Sequence, residues 1–257
     1  MGLIRKLYRW PLFALMVLIG IILTVLFLRG TVPPGGLATR IVQTWLGVNA
    51  KIFGVRTRTV GKPLSGRVLY VADHISWLDI MIIGRLAPAH FLAKLEIKHL
   101  PVFGWLATRA GTLYIHRGNR ESASEATVEL REALLQDHNC IVFAEGGTSD
   151  GNIRRFHGRM LQSAIDAHAT IQPIAIFFPA RDPDTGQTIL NPATLFVGDT
   201  GLGESANRIV EQKHIDAEVH FLQPIECKDR TRDELARHAF DEVEQAIYEI
   251  RRSHTLN

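Results

Sequence analysis

The chain opens on an uncharged apolar run, PLFALMVLIGIILTVLFL at residues 11–28. Its 18 residues are close to the minimum that crosses a bilayer as a helix. A Pro- and Gly-rich break follows at residues 31–36. Residues 37–53 then place Leu37, Ile41, Trp45, Val48 and Ile52 at helical spacing, with Arg40 and Lys51 among the polar positions. That pattern predicts an amphipathic helix, lying either on a membrane or on the core. From about Arg56 onward, short β-like runs alternate with helix-like runs. Strands are predicted at residues 68–72, 90–93, 111–115, 140–144, 171–178, 194–197 and 217–222. A helix is predicted to begin near Ser76 and to carry Leu78, Ile80, Met81, Ile82 and Ile83. Another covers residues 119–137, with Asn119 as its cap and Ala123, Ala126, Thr127, Leu130 and Leu134 on one stripe. The last spans residues 232–251, with Leu235, Ala239, Val243, Ile247 and Ile250 inward. The alternation predicts an α/β layer structure, a mixed sheet flanked by helices. Residues 1–55 form a membrane-anchoring helical segment in this reading, and residues 56–257 one catalytic domain.

Composition sharpens the picture at the N-terminal end. The chain is 46% hydrophobic with slightly positive mean hydropathy, and the excess is concentrated in the first run. Arg5, Lys6 and Arg9 precede that run and Arg29 ends it. A signal peptide has the same polarity, but this run is long, stops at an arginine and has no small-x-small site close behind it, so a retained anchor is the better reading. A buried core helix is the plain alternative, and the missing polar face counts against it in a chain of this size. The net charge of +3 and pI near 9.0 are modest. Basic residues cluster early, at Arg40, Lys51, Arg56 and Arg58 as well, which suits an anionic lipid surface. No dense basic stripe marks a nucleic-acid partner, and none is expected. The two cysteines, Cys140 and Cys227, form no CxxC pair, and Cys140 reads as a buried free thiol.

The candidate chemistry sits at strand ends. His74 and Asp79 follow the run 68–72, five residues apart. A histidine held in one tautomer by a carboxylate is a general base. With 11 His and 12 Asp in the chain, chance supplies about half of one such pair, so the spacing alone proves little. Arg117 follows the strand at 111–115, where a guanidinium can fork onto an anion, and a solvated arginine before a turn is the plain alternative. Glu145 and Gly146, with Gly147, end the strand at 140–144. The glycines let backbone amides approach a ligand, and Glu145 is placed to orient an arginine or substrate hydroxyls; an ordinary acidic turn is the alternative. Lys94 offers an ammonium to an anionic head group, or simply lies along the surface. His116, His157 and His168 have no metal-ligand spacing, and no GxSxG, P-loop or GxGxxG occurs.

Taken in order, these segments resemble the glycerolipid acyltransferase family, the lysophosphatidic acid acyltransferases and their relatives. Its first motif, N-H-x-x-x-x-D, is met by His74 and Asp79 with Ser76 at its usual place. G-x-I-x-I-x-R is met by Gly111, Leu113, Ile115 and Arg117. F-P-E-G-T-R-S is met by Phe143, Glu145, Gly146 and Ser149, and an apolar stretch around a proline by residues 171–176. The resemblance covers roughly residues 68–178. Asp73 departs from the usual Asn, Ala144 from Pro, and Gly147-Thr148 from Thr-Arg.

The resemblance implies acyl transfer from acyl-CoA or acyl carrier protein to a lysolipid hydroxyl. The first expected acceptor is 1-acyl-sn-glycerol-3-phosphate, giving phosphatidic acid in phospholipid biosynthesis. Lyso-ornithine lipid is the alternative, because its bacterial acyltransferases have a similar E-G-x-x-S-D-G loop. His74 and Asp79 are the implied catalytic pair, and Ser76, Lys94, Arg117, Glu145 and Gly146 the implied substrate contacts. No metal or bound cofactor is expected. The expected location is the inner membrane with the domain facing the cytoplasm. A single span would put Arg5, Lys6 and Arg9 outside, so a helix dipping into one leaflet is preferred. A membrane-bound thioester hydrolase and a non-catalytic lipid-binding module are the rival classes.

Overall fold

The computed structural model describes residues 2–28, 35–116 and 118–255. Most of the expected break at 31–36, and Arg117, lie outside the described residues. The elements in chain order begin with α1 (Gly2–Phe27), α2 (Leu37–Ile52), β1 (Val55–Val60), β2 (Val68–Ala72) and α3 (Leu78–Leu86). Next come β3 (His90–Lys94), α4 (Leu95–Lys98), α5 (Phe103–Arg109), β4 (Leu113–Ile115), α6 (Arg120–Leu135) and β5 (Cys140–Phe143). The chain closes with α7 (Gln162–Asp166), β6 (Thr170–Phe177), β7 (Pro179–Arg181), β8 (Thr188–Leu190), α8 (Leu202–Glu211), β9 (Ile215–Phe221) and α9 (Arg232–Thr255).

Seven strands form one sheet in the order β1-β9-β6-β2-β5-β3-β4. Only β6 and β9 pair antiparallel, so the sheet is mixed, as the alternating pattern predicts. The central strand β2 is buried at all five positions, because both faces of the sheet are covered. One face packs on α6, α7 and α9 through Leu130, Leu134, Ala164, Leu235, Ala239 and Val243. The other packs on α2, α3 and α8 through Phe53, Leu78, Ile82, Ile209 and Val210. Strands β2, β5, β3 and β4 run parallel, so their carboxyl ends share one edge, where α/β sheets place their sites.

The expected caps and stripes appear where spacing is local. The Asn119 side chain accepts from the N–H groups of Glu121 and Ser122 at 2.8 and 3.1 Å. All five inward positions expected of α9 are buried. Three differences stand out. Residues 194–197 are not a strand: Asn191 caps a short 3-10 turn at Pro192–Thr194, and Leu195–Val197 pair with no strand among the described residues. Strand β1 was not expected, because Arg56, Thr57, Arg58 and Thr59 lack the apolar face of a core strand; it lies at the sheet edge. Helix α8 also escaped, although Leu202, Ala206, Ile209 and Val210 stand at helical spacing along it.

Helices α1 and α2 form an antiparallel pair. Trp45 on α2 donates its indole N–H to the Met16 carbonyl of α1 at 2.7 Å, and Gly20 lies against the same ring. Near the start of α1, Arg9 lies against Gly54, just beyond α2. Arg9 is 5% exposed, and its guanidinium donates to the carbonyls of Val210, Gln212 and Lys213 at 2.7–3.1 Å. It thereby satisfies carbonyls at the end of α8 that have no partner within that helix. The outer side of α1 leaves Leu3, Leu7, Leu15, Leu18, Ile22 and Val25 exposed. The helix is long and apolar enough to cross a membrane.

Candidate active site

Strand β2 ends at Ala72, and the chain turns through Asp73–Trp77 into α3. That turn is built around one carboxylate oxygen. Asp79 Oδ2 accepts from the N–H groups of Ile75 and Ser76 at 2.8 and 2.9 Å and meets His74 Nδ1 at 2.8 Å. The five-residue spacing therefore places Asp79 in the first turn of α3, with its side chain pointing back over the loop. Asp79 is fully buried, while the His74 side chain is 13% exposed. The imidazole lies flat on Phe143, with ring centroids 3.9 Å apart and 15° between planes. Phe143 fixes the ring from below, and Asp79 fixes it through Nδ1. The geometry leaves Nε2 as the nitrogen that is not engaged by Asp79.

Glu145 stands behind this pair. Its Oε1 accepts the N–H of His74 at 2.9 Å and its Oε2 the N–H of Arg154 at 2.9 Å. Ser149 closes the same knot, donating its N–H to the His74 carbonyl at 2.7 Å. Burial pushes the Glu145 carboxyl above the usual range, against those N–H bonds and the Arg154 charge. Asp73 is also buried, and its Oδ1 accepts the N–H of Ile176 on β6 at 2.9 Å. Burial drives its carboxyl well above the usual range, and the nearby Asp79 and Glu145 add to that. A protonated Asp73 has one acceptor and one O–H donor, the polarity of the family's usual asparagine.

Of the expected substrate contacts, Ser76, Glu145 and Gly146 are engaged within the protein and Lys94 is exposed. Ser76 is fully buried, and its hydroxyl accepts the Leu78 N–H at 3.3 Å, so it shapes the start of α3. The two oxygens of Glu145 are occupied by backbone, so it positions His74 and touches Arg154, 3.8 Å away, in place of a substrate. Gly146 has φ +74° and donates its N–H to the Phe143 carbonyl, so that amide tightens a turn and does not face a ligand. Lys94 is exposed at the carboxyl end of β3, on the same sheet edge as His74. Arg117 falls outside the described residues. Sequence reasoning missed Phe143 as the platform for His74, and nothing short of the fold marks it. The hydroxyl of Thr148, at the position of the motif's arginine, binds the Phe196 carbonyl. Arg154 reaches the Thr148 carbonyl at 2.5 Å with its side chain 56% exposed.

An apolar cavity of about 870 Å³ lies between the α1–α2 pair and the sheet domain. Trp10, Phe13, Trp77, Met81, Phe91 and Phe103 line it. Phe91 also packs on Phe143, 6.2 Å between centroids, so the cavity wall leads to the platform under His74.

Residues 55–177 match the family model described as Acyltransferase. A lyso-ornithine lipid O-acyltransferase of Pseudomonas aeruginosa is 35% identical, over 82% of this chain and 80% of that protein. A 1-acyl-sn-glycerol-3-phosphate acyltransferase of Neisseria gonorrhoeae is 33% identical, over 73% of this chain and 72% of its own. The crystal structure of the 1-acyl-sn-glycerophosphate acyltransferase of Thermotoga maritima superposes with a TM-score of 0.68 at 17% identity, covering 96% of both chains, which marks a shared fold. With the His74–Asp79 pair at the end of β2 inside the matched segment, the chain belongs to the acyltransferase family that acts on lysolipids.

Proposed function

We propose that this protein esterifies the free hydroxyl of a lysolipid with a fatty acyl group taken from acyl-CoA or acyl carrier protein. The observation that supports this best is the 2.8 Å bond between His74 Nδ1 and Asp79. It directs Nε2 to the acceptor. Nε2 takes the hydroxyl proton as the oxygen attacks the thioester carbonyl. The C–O bond forms, the C–S bond breaks, and the proton on His74 passes to the departing thiolate. Asp79 stabilises the imidazolium between those two steps. The thiol is a good leaving group, so no covalent acyl-enzyme is invoked, and the chemistry asks for no metal or bound cofactor. The apolar cavity takes an acyl chain, and Lys94 at the sheet edge meets charged parts of the substrates, with Arg117 the second expected contact.

For the acceptor we favour an ornithine head group. Thr148 replaces the motif's arginine and turns its hydroxyl inward. The loop instead offers an exposed acid, Asp150, and the half-exposed guanidinium of Arg154. A pair of opposite charges suits a head group bearing both an ammonium and a carboxylate. The 35% identical relative of that name points the same way. Lysophosphatidate is the second reading, supported by Arg154 as a lone phosphate partner and by the 33% identical relative. The site belongs on the cytoplasmic side of the inner membrane, with the α1–α2 pair dipping into one leaflet.

The test offers lyso-ornithine lipid, lysophosphatidate and other lysophospholipids to purified protein, with each donor. Acylation of the ornithine acceptor in preference to lysophosphatidate is expected, and the reverse order would replace the first acceptor with the second. Free fatty acid released equally fast without any acceptor would make the protein a hydrolase. Binding of lysolipid with no turnover of any donor would make it a lipid-binding module.

A further inference from the structure

We propose that the segment joining β3 to β4, Leu95–Arg109, is a second membrane-inserting element, and that it shares one leaflet with α1 at the mouth of the apolar cavity. The proposal rests on α1 residing in the membrane.

The sequence of this segment gives two short helices in place of one long one. Pro101 interrupts the run, Val102 takes φ +63°, and Gly104 starts α5 against the end of α4. A Cβ at Gly104 would lie 2.1 Å from the Lys98 carbonyl oxygen, so only glycine allows this approach. The tight fold turns apolar side chains outward. Every residue from Glu96 to Phe103 is exposed. Ile97, Leu100, Val102, Phe103 and Trp105 are each 37–40% exposed, five large apolar side chains within nine residues. A soluble surface seldom gathers so many in one patch.

Two observations identify the occupant as lipid. First, the patch continues the exposed apolar side of α1. Phe103 stacks on Phe13 of α1, 6.2 Å between centroids and 10° between planes. Ile97, Leu100 and Phe103 line the same cavity as Trp10 and Phe13, so cavity and patch open together. Second, the apolar side chains are flanked by exposed Lys94, Lys98 and Arg109 against the single acid Glu96. An apolar face rimmed by basic residues is the pattern of an interfacial element on anionic lipid. An acceptor or product sliding between α1 and α5 would then move along the leaflet without entering water.

The experiment places an environment-sensitive fluorophore on a single introduced cysteine in the full chain. The native Cys140 and Cys227 are buried and leave the introduced thiol as the accessible one. The variants are Leu18→Cys on α1, Trp105→Cys on α5 and Val128→Cys on α6, all exposed positions. Each is reconstituted in phosphatidylcholine–phosphatidylglycerol vesicles whose acyl chains are brominated. Quenching at positions 18 and 105 but not at 128 is expected. Quenching at 18 alone overturns this proposal and leaves the α1 anchor standing. No quenching at 18 overturns the anchor itself, and this proposal with it. A second arm uses Val102→Asp with Trp105→Glu, neither of which lines the cavity. Transfer to an acceptor held in vesicles should fall about tenfold while transfer to a short-chain, water-soluble lysolipid is unchanged. Equal loss in both assays, or none in either, overturns the proposal.

Discussion

At the scale of single residues, the site is a set of carboxyl groups with divided roles. Asp79 holds His74, Glu145 accepts the backbone N–H groups of His74 and Arg154, and Asp73 ties the loop to β6. Asp79→Asn, with its amide oxygen in the place of Oδ2, still accepts from the N–H groups of Ile75 and Ser76 and meets Nδ1, but it carries no charge to stabilise the imidazolium of His74. The turnover rate should fall about a thousandfold or more with KM little changed, measured by steady-state transfer kinetics. His74→Ala should abolish transfer in a protein whose circular dichroism is unaltered. Asp73 gives a pH prediction with a definite sign. Its folded carboxyl titrates well above the unfolded one, so the folded state holds the extra proton. Its contribution to stability is complete below the unfolded value and is lost as pH rises through the folded value. Asp73→Asn cannot ionise and retains the acceptor for Ile176. Thermal unfolding should show the variant gaining on the parent as pH increases, and parallel profiles would contradict the assignment. How much of this was legible differs by residue. The His74–Asp79 partnership is a local contact across one turn, so spacing reveals it. The charge state of Asp73 depends on β6, 103 residues away, and cannot be seen in the chain.

At the scale of elements, α1 is both an apolar helix and a structural part of the domain. Arg9 carries the connection. Its three bonds to carbonyls at the end of α8 are buried or partly buried, and truncation leaves those carbonyls without donors. Arg9→Met should cost about 2–3 kcal/mol, read as a lower unfolding midpoint in detergent. The same change should loosen α1, so limited proteolysis of the chain should accelerate. In the segment between β3 and β4, Gly104→Ala forces α4 and α5 apart. It should destabilise the protein by about 1–3 kcal/mol and weaken the patch they present together. The sequence marks Arg9 only as one of several early basic residues. Its burial against α8 could not be expected, because Arg9 and Val210 lie 201 residues apart in the chain.

At the scale of the whole molecule, the arrangement of α1 and α2 bears on a conflict that charge counting leaves open. A single span would carry Arg5, Lys6 and Arg9 across the bilayer. Here Arg5 and Arg9 bond to carbonyls at the end of α8, and α2 returns to the domain at Gly54. The two ends of the pair therefore lie on the same side as the sheet. Cysteines introduced near residue 2 and on α9 should both react with a membrane-impermeant reagent from the cytoplasmic face of inverted vesicles. Labelling of the N-terminal position only from the opposite face would sink the dipping arrangement. The cavity between this pair and the sheet is walled in part by Phe91, which packs on the Phe143 platform under His74.

Periodicity along the chain was enough to determine the α/β class, the central strands β2, β5 and β6, the cap on α6 and the inward face of α9. Spacing was enough to pair His74 with Asp79. These features depend on contacts within a few residues, which backbone geometry and side-chain period dictate. The tertiary structure alone decided that Glu145 serves His74 from behind, that Ser76 and Gly146 are committed to turns, and that Phe143 supports the imidazole. It alone placed Arg9 on α8 and turned the linker's apolar residues outward beside α1. Each of these joins segments far apart in the chain, and their meeting depends on strand order and burial, which no local pattern encodes.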